Sequence, residues 1–193
     1  MKKIGQVVRV DSAFDWLVEV FREGDIEKPP DREDYSVGTF LKVRARRSKL
    51  VSIVRDVVIY NPEYGTPRVK AEGREEIEKL MPDLGDQVKT LIFVYYLGKL
   101  SQKSTDHTFP DLTPRLHDEA RVMEDEEIRQ FHTKEGSLYL GYLTRFLKVE
   151  NAPFLFSKMA DKVEDVLEVD KNLLRKIKND VTMETKIGRI RGR

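Results

Sequence analysis

The dipeptide Gly98-Lys99 is the chain's nearest approach to a phosphate-binding loop. Such a loop needs a glycine, four residues and then Gly-Lys-Ser/Thr, so that backbone N–H groups and one lysine cradle the phosphates. Here Phe93 occupies the place of the first glycine and Leu100 that of the magnesium-binding hydroxyl. The dipeptide also follows an apolar run, 91–97, that we interpret as helical. We therefore predict that the protein neither binds nor hydrolyses ATP and needs no cofactor.

Three histidines and several acids raise the question of a metal site. They are His107, His117, His132, Asp118, Glu119 and Glu124–Glu127. A catalytic zinc site takes about three converging nitrogen or oxygen ligands. Its usual helical form places two ligands four residues apart, and the chain contains no His-x-x-x-His. We favour a solvated acidic surface, and we predict no metal site.

Patterns for nucleophilic catalysis are also lacking. A reactive serine needs a nearby histidine and an orienting acid, and the chain has no Gly-x-Ser-x-Gly elbow. Asp83 and Asp86 resemble a carboxylate pair, but at helix starts an acid serves to complement the helix dipole. The sequence therefore predicts no catalytic residue.

Two basic clusters could contact nucleic acid or a protein partner. The candidate residues are Arg44, Arg46, Arg47, Lys49, Lys186, Arg189, Arg191 and Arg193. Phosphate backbones attract such clusters with salt-dependent affinity, although charged turns are also ordinary solubility devices. The aromatic residues could stack on bases, but apolar neighbours favour core packing. These aromatic residues are Trp16, Phe21, Phe40, Tyr95 and Tyr96.

Composition limits the protein classes further. The 193 residues are 39% hydrophobic and 36% charged, and 35 Lys and Arg residues nearly balance 34 Asp and Glu residues. The absence of cysteine excludes disulfides, thiolate metal sites and cysteine nucleophiles. Few amides beside many charges favour a heat-adapted intracellular protein. We see no signal peptide and no membrane span, and we expect a cytoplasmic protein.

The first sixty residues predict a small closed β-barrel. Strand-like runs cover 7–10, 16–21, 39–45 and 50–59, with a charged loop over 24–34. In the third run, Leu41, Val43 and Ala45 form an apolar face, whereas Lys42, Arg44 and Arg46 form a basic one. Closure into a barrel would remove the exposed strand edges.

The remainder predicts mainly helices. Helical spacing indicates helices over 74–80 and 85–101, a short acidic helix over 124–132, and a helix from Ser157 onward. Residues 138–148 favour a strand, and the basic tail 186–193 is expected to fray. The predicted class is α+β, with an N-terminal closed barrel, a helical insertion at about 74–104 and a helical C-terminal part. We place the domains at 1–150 and 151–193.

The segments Ile4-Gly5-Gln6-Val7-Val8, 37–43 and 50–57 together resemble the barrel shared by HerA-type DNA translocases and ATP synthase subunits, the HAS-barrel. The likeness covers about residues 4–60, and a weaker one covers 138–143, the late strand before the motor of such translocases. In that family the barrels form the crown of a ring ATPase. The resemblance implies an archaeal protein that keeps the assembly surface and lacks the ATPase core.

We predict from this a non-enzymatic assembly or adaptor module that docks on a HerA-type ring ATPase in DNA processing. It would have a protein partner or form a homo-oligomer, with weak nucleic-acid contact, no membrane association and no small-molecule substrate. Two alternatives stay open. One is a stand-alone nucleic-acid-binding protein that uses the basic hairpin, and the other is an enzyme whose site has no recognisable sequence pattern.

Overall fold

The computed structural model describes residues 2–45, 48–61, 88–102 and 104–191, with side chains described as far as Met183. Nine strands lie within these ranges. They are β1 (Lys3–Val10), β2 (Asp15–Val20), β3 (Phe40–Ala45), β4 (Ser48–Tyr60), β5 (Lys89–Leu100), β6 (Thr105–Asp106), β7 (Glu119–Val122), β8 (Thr133–Lys134) and β9 (Ser137–Leu138). Six of them close an antiparallel barrel in the order β2-β1-β7-β3-β4-β5, and β5 pairs back to β2.

Apolar side chains from all six strands fill the barrel interior. Strand β5 contributes Ile92, Val94 and Tyr96, and β2 contributes the buried Trp16. Because successive residues of a strand point to opposite faces, these alternate positions share one side of the sheet. The hairpin of β3 and β4 pairs Ala45 with Ser48 across its turn, as the sequence pattern predicts. The predicted closed barrel is confirmed. Of the aromatic residues expected in a core, Trp16, Phe40, Tyr95 and Tyr96 are buried, whereas Phe21 is partly exposed.

The helix predicted over residues 85–101 is wrong where the structure describes it. Residues 89–100 form strand β5, which pairs with β4 along its whole length and with β2 over 91–95. Tyr95 and Leu97 pack outside the barrel while Tyr96 packs inside it. A strand buried on both faces is continuously apolar, and periodicity alone does not distinguish it from a buried helix. The rest of the predicted insertion, with the helix at 74–80 and the acids Asp83 and Asp86, lies outside the described residues.

Closure of the barrel requires chain well beyond residue 60. Strand β7 lies between β1 and β3, pairing Ala120 with Gly5 on one side and with Val43 on the other. Gly5 permits a close approach of strands here, since a Cβ at that position would lie 1.9 Å from the carbonyl oxygen of Glu19. The expectation that the first sixty residues make the barrel alone is therefore wrong, since β5 and β7 complete it.

Four α-helices follow the barrel strands in the described part of the chain. They are α1 (Asp125–Phe131), α2 (Leu143–Phe146), α3 (Ala152–Val166) and α4 (Lys171–Arg191). The short acidic helix is confirmed by α1. None of the helices in the described ranges is both long and apolar enough to cross a bilayer.

Two predicted boundaries in this part are wrong. The strand expected over 138–148 ends at Leu138, and helix α2 follows it. Helix α3 begins at Ala152 rather than Ser157, with a proline in its first turn, where the missing N–H removes no hydrogen bond. Helix α4 continues through Arg191, and the fraying expected over 186–193 stays a prediction.

A second apolar core joins the helices to the outer face of the barrel. Phe40, Ile53 and Tyr95 face it from the strands, and Phe146 and Phe156 face it from the helices. The amphipathic pattern of α3 supplies buried residues on one side along its length. The helices therefore hold α2 and the loop after β6 against one wall of the barrel, where the candidate site lies.

Candidate functional site

The predicted basic face of β3 is only partly a surface. Lys42 is 5% exposed and forms an ion pair with Glu127 of helix α1. Glu127 also accepts a hydrogen bond from Lys49 at 2.6 Å and one from the backbone N–H of Glu124 at 2.9 Å. Burial alone would raise the pKa of Glu127, but these hydrogen bonds more than offset it and hold the pKa below its ordinary value. This trio of Lys42, Glu127 and Lys49, the Glu127 clamp, ties the hairpin to α1.

The other predicted contact residues divide between described and undescribed parts of the chain. Arg44 is exposed on β3. Lys49 is committed to the Glu127 clamp, although 41% of its side chain is exposed. The remaining candidates lie outside the described side chains, namely Arg46, Arg47, Lys186, Arg189, Arg191 and Arg193. Nearer the start of α4, Arg175 and Lys178 pair with Glu164 and Asp161 of α3.

The three histidines have separate roles. His117 is exposed in the loop before β7, whereas His107 and His132 are buried between the barrel and the helices. Their rings lie 6.3 Å apart, centroid to centroid. Among the residues that the structure describes, no three histidine or acidic side chains converge as metal ligands.

His132 is held as one neutral tautomer. Its Nδ1 lies 2.8 Å from the carbonyl oxygen of Ile128, which can only accept, so Nδ1 carries the proton. Its Nε2, 2.9 Å from the hydroxyl of Tyr142, then accepts from that O–H group. Burial lowers the pKa of His132 to about 4, because the charged ring would lose its hydration.

His107 is neutral for the same main reason. Burial, followed by repulsion from His132, lowers the pKa of His107 to about 3. Its Nε2 donates to the carbonyl oxygen of Phe131 at 3.0 Å, which leaves Nδ1 as a buried acceptor with no partner among the described residues. The ring stacks on Tyr139 with centroids 4.1 Å apart. Gly98 lies beneath it, where a Cβ would lie 2.4 Å from the carbonyl oxygen of Asp106.

Arg145 of helix α2 connects these groups to the barrel. Its guanidinium donates to the carbonyl oxygens of Leu97 in β5 and of His107 in the loop after β6. It also lies 5.7 Å from the ring centroid of Tyr96. Burial lowers the pKa of Arg145, but a guanidinium keeps its charge at neutral pH. Within the described part of the chain, no carboxylate forms an ion pair with it.

An open depression of about 400 Å³ lies beside Arg145. We call it the Arg145 depression. Its lining residues are His107, Thr108, Phe109, Tyr139, Gly141, Thr144, Arg145 and Lys148. Two cations and three aromatic or imidazole rings thus line it, with no carboxylate among the lining residues. The arrangement offers positive potential and apolar ring surface.

Sequence analysis missed this depression. Its residues come from the polar loop after β6 and from 139–148, which the pattern assigned to a strand. Thr144 lies on α2 and Lys148 in the turn after it, so no helical spacing in the sequence marked them as neighbours. The contact of Arg145 with two distant carbonyl groups had no signal in the sequence, because only tertiary packing brings them together.

The model of one protein family, described as a domain of unknown function (DUF8166), matches residues 1–189 of the chain. The chain belongs to the DUF8166 family. The DUF8166 match includes the barrel strands, helices α1 to α3, nearly all of α4 and every residue that lines the Arg145 depression. No curated protein matches the chain. The predicted division at residue 150 stays a prediction.

Proposed function

We propose that this DUF8166 protein is a non-enzymatic assembly module whose barrel is a scaffold and whose docking surface is the outer end of β4. The barrel and its outer core are filled by packed side chains and tied by the Glu127 clamp. Such a framework can present a surface in a fixed orientation. The resemblance to HAS-barrels, which sit side by side in ring ATPases, supports the same function.

The observation that carries the proposal is the outer edge of β4, which has no neighbouring strand at its end among the residues that the structure describes. Strand β4 pairs with β3 from Ser48 to Ile53, and its last residues, 56–60, pair within the described ranges with β5 alone. Ile59 is 63% exposed and Tyr60 is 52% exposed at this end. An edge strand presents unpaired N–H and C=O groups, and another chain can add a strand to it. Apolar side chains on such an edge favour a protein partner over water.

The partner that we propose is a second copy of this chain, or the crown of a HerA-type ring ATPase. Wild-type protein is expected to sediment as a dimer or a larger species, or to form a complex with the purified ATPase. Changing Ile59 and Tyr60 to serine is expected to remove that association while the far-ultraviolet circular dichroism spectrum is unchanged. Leu173→Ser is the matched control, because Leu173 is 49% exposed on α4.

Two outcomes would contradict the docking function. One is a monomer at the highest attainable concentration that also forms no complex with the ATPase. The other is an association that the Ile59 and Tyr60 changes leave intact.

A second candidate function, contact with nucleic acid, is favoured by a different feature, the Arg145 depression.

A further inference from the structure

The cations of the Arg145 depression, Arg145 and Lys148, form no ion pair with a carboxylate in the part of the chain that the structure describes. The acid beside it, Asp106 at the end of β6, interacts with Lys99 and accepts a hydrogen bond from the N–H of Thr108 at 2.9 Å. Lys99 also binds Asp111, at 2.8 Å. The acids near the depression are therefore engaged with another lysine. Lys148 is exposed at the rim and forms no ion pair within the described part of the chain.

Arg145 and Lys148 act on an anion in different ways. Two of the guanidinium nitrogens of Arg145 already donate to backbone carbonyl oxygens. Its charge therefore adds to the local potential, and it stays fixed in place. Lys148 and the hydroxyl of Thr144, both exposed on α2 and the turn after it, are free to approach a ligand directly. A phosphate is one of the oxyanions that can accept from an ammonium and a hydroxyl together.

Phe109 supplies an aromatic surface at the same depression. It is 72% exposed, and its contact with Phe14 is edge-to-face, with ring centroids 5.7 Å apart. The Phe109 ring is therefore solvent-exposed while it packs against Phe14. Tyr139 is less available, because His107 covers one face and Lys134 lies 5.1 Å from its ring centroid.

We propose that the Arg145 depression binds one nucleotide unit of a single-stranded nucleic acid. The base stacks on Phe109, and the adjoining phosphate lies at Lys148 and Thr144 within the field of Arg145. The volume of about 400 Å³ falls in the usual range for sites that hold a small molecule or one unit of a polymer. Stacking requires an unpaired base, so a single strand fits where a duplex does not. This inference does not depend on the docking function of β4.

The test measures fluorescence anisotropy of a labelled ten-nucleotide oligo-dT across a salt series, with a duplex of the same length as comparison. Wild-type protein is expected to bind the single strand more tightly than the duplex. Phe109→Ala is expected to weaken single-strand binding at least about fivefold and to leave the salt dependence unchanged, because stacking involves no counterion release. Lys148→Ala is expected to reduce the slope of log affinity against log salt by about 0.7, the value for one phosphate of a single strand.

Matched controls make the same chemical changes elsewhere. Phe154→Ala removes an aromatic ring that is 57% exposed on α3, and Lys28→Ala removes an exposed lysine. Neither residue lines the depression, and neither change is expected to alter binding. Arg145 is left in place, because its loss would release two backbone carbonyl groups and disturb the fold.

Three results would overturn the proposal. The first is no single-strand binding by wild-type protein at low salt, and the second is equal loss of affinity in the test and control variants. The third result comes from a competition experiment with free dTMP. If dTMP binds as tightly as the oligonucleotide, the depression is a site for a free nucleotide and not for a strand.

Discussion

Two buried imidazoles, His107 and His132, lie in the layer between barrel and helices. Their presence in the sequence suggested metal ligation, but the structure uses them as neutral hydrogen-bonding groups with burial as the dominant influence on their pKa values. Histidine type and spacing could raise the question of a metal. They could not show burial, since the chain brings Phe131, Tyr139 and Tyr142 around these rings only when it is folded.

Their burial predicts a loss of stability in mild acid. The folded-state pKa values, about 3 and about 4, lie below the ordinary value of 6.5, so below pH 6.5 the unfolded chain binds more protons than the folded one. The free energy of unfolding is therefore expected to fall by about 2 kcal/mol per histidine between pH 7.5 and 5. This window lies above most carboxyl titrations. Urea unfolding followed by the fluorescence of Trp16, the single tryptophan, measures it.

The substitution His132→Asn should remove about half of that pH dependence. His117→Asn is the control, because His117 is exposed and its backbone φ of 69° is one that asparagine tolerates. Equal unfolding free energies at pH 7.5 and 5 in the wild-type protein would contradict the prediction.

At the scale of elements, the Glu127 clamp joins the β3–β4 hairpin to helix α1, which lies far from it in the sequence. The alternation along β3 correctly placed Lys42 on the face of the strand away from Leu41 and Val43. It did not predict the buried ion pair of Lys42, because helix α1 covers that position only in the folded chain. A buried lysine needs its partner, because an isolated buried charge is strongly destabilising. The clamp therefore matters more for stability than the exposed ion pairs do.

A double-mutant cycle measures the clamp. Glu127→Leu is expected to lower the free energy of unfolding by about 3–5 kcal/mol, because it leaves Lys42 buried without a partner. The double variant Lys42→Met/Glu127→Leu should recover most of that loss, since both charges are then absent. Lys49→Met should cost at most about 1 kcal/mol, because Lys49 is partly exposed. A double variant no more stable than Glu127→Leu alone would contradict a coupled pair.

Strand β5 shows where pattern reasoning at this scale ends. Its apolar positions fit helical spacing, and only the enrichment in β-branched and aromatic residues pointed toward a strand. The β3–β4 hairpin was predictable because charged residues alternate with apolar residues along β3. Strand β5 has the barrel core on one face and the helical core on the other, and so it shows no such alternation.

For the molecule as a whole, the barrel is a property of residues 3–122 and not of the first sixty. A fragment of residues 1–61 lacks β5, which pairs with both β2 and β4. It also lacks β7, which pairs with both β1 and β3. We expect this fragment to stay unfolded, with little amide dispersion in its NMR spectrum and Trp16 accessible to acrylamide. The full chain is the reference. A fragment with dispersed resonances and a shielded Trp16 would contradict the dependence on β5 and β7.

The place of β7 between β1 and β3 also has a consequence for synthesis on the ribosome. Lys3 pairs with Arg121, more than a hundred residues later in the chain. At about 5–20 residues per second, β7 is made roughly 5–20 s after β1. During that interval the facing edges of β1 and β3 have no native partner, and contacts so distant in sequence form slowly even afterwards. From the end of β3 at Ala45 to the start of β7 at Glu119, the nascent chain therefore has two strand edges that lack their native partner, and such edges can pair with another chain.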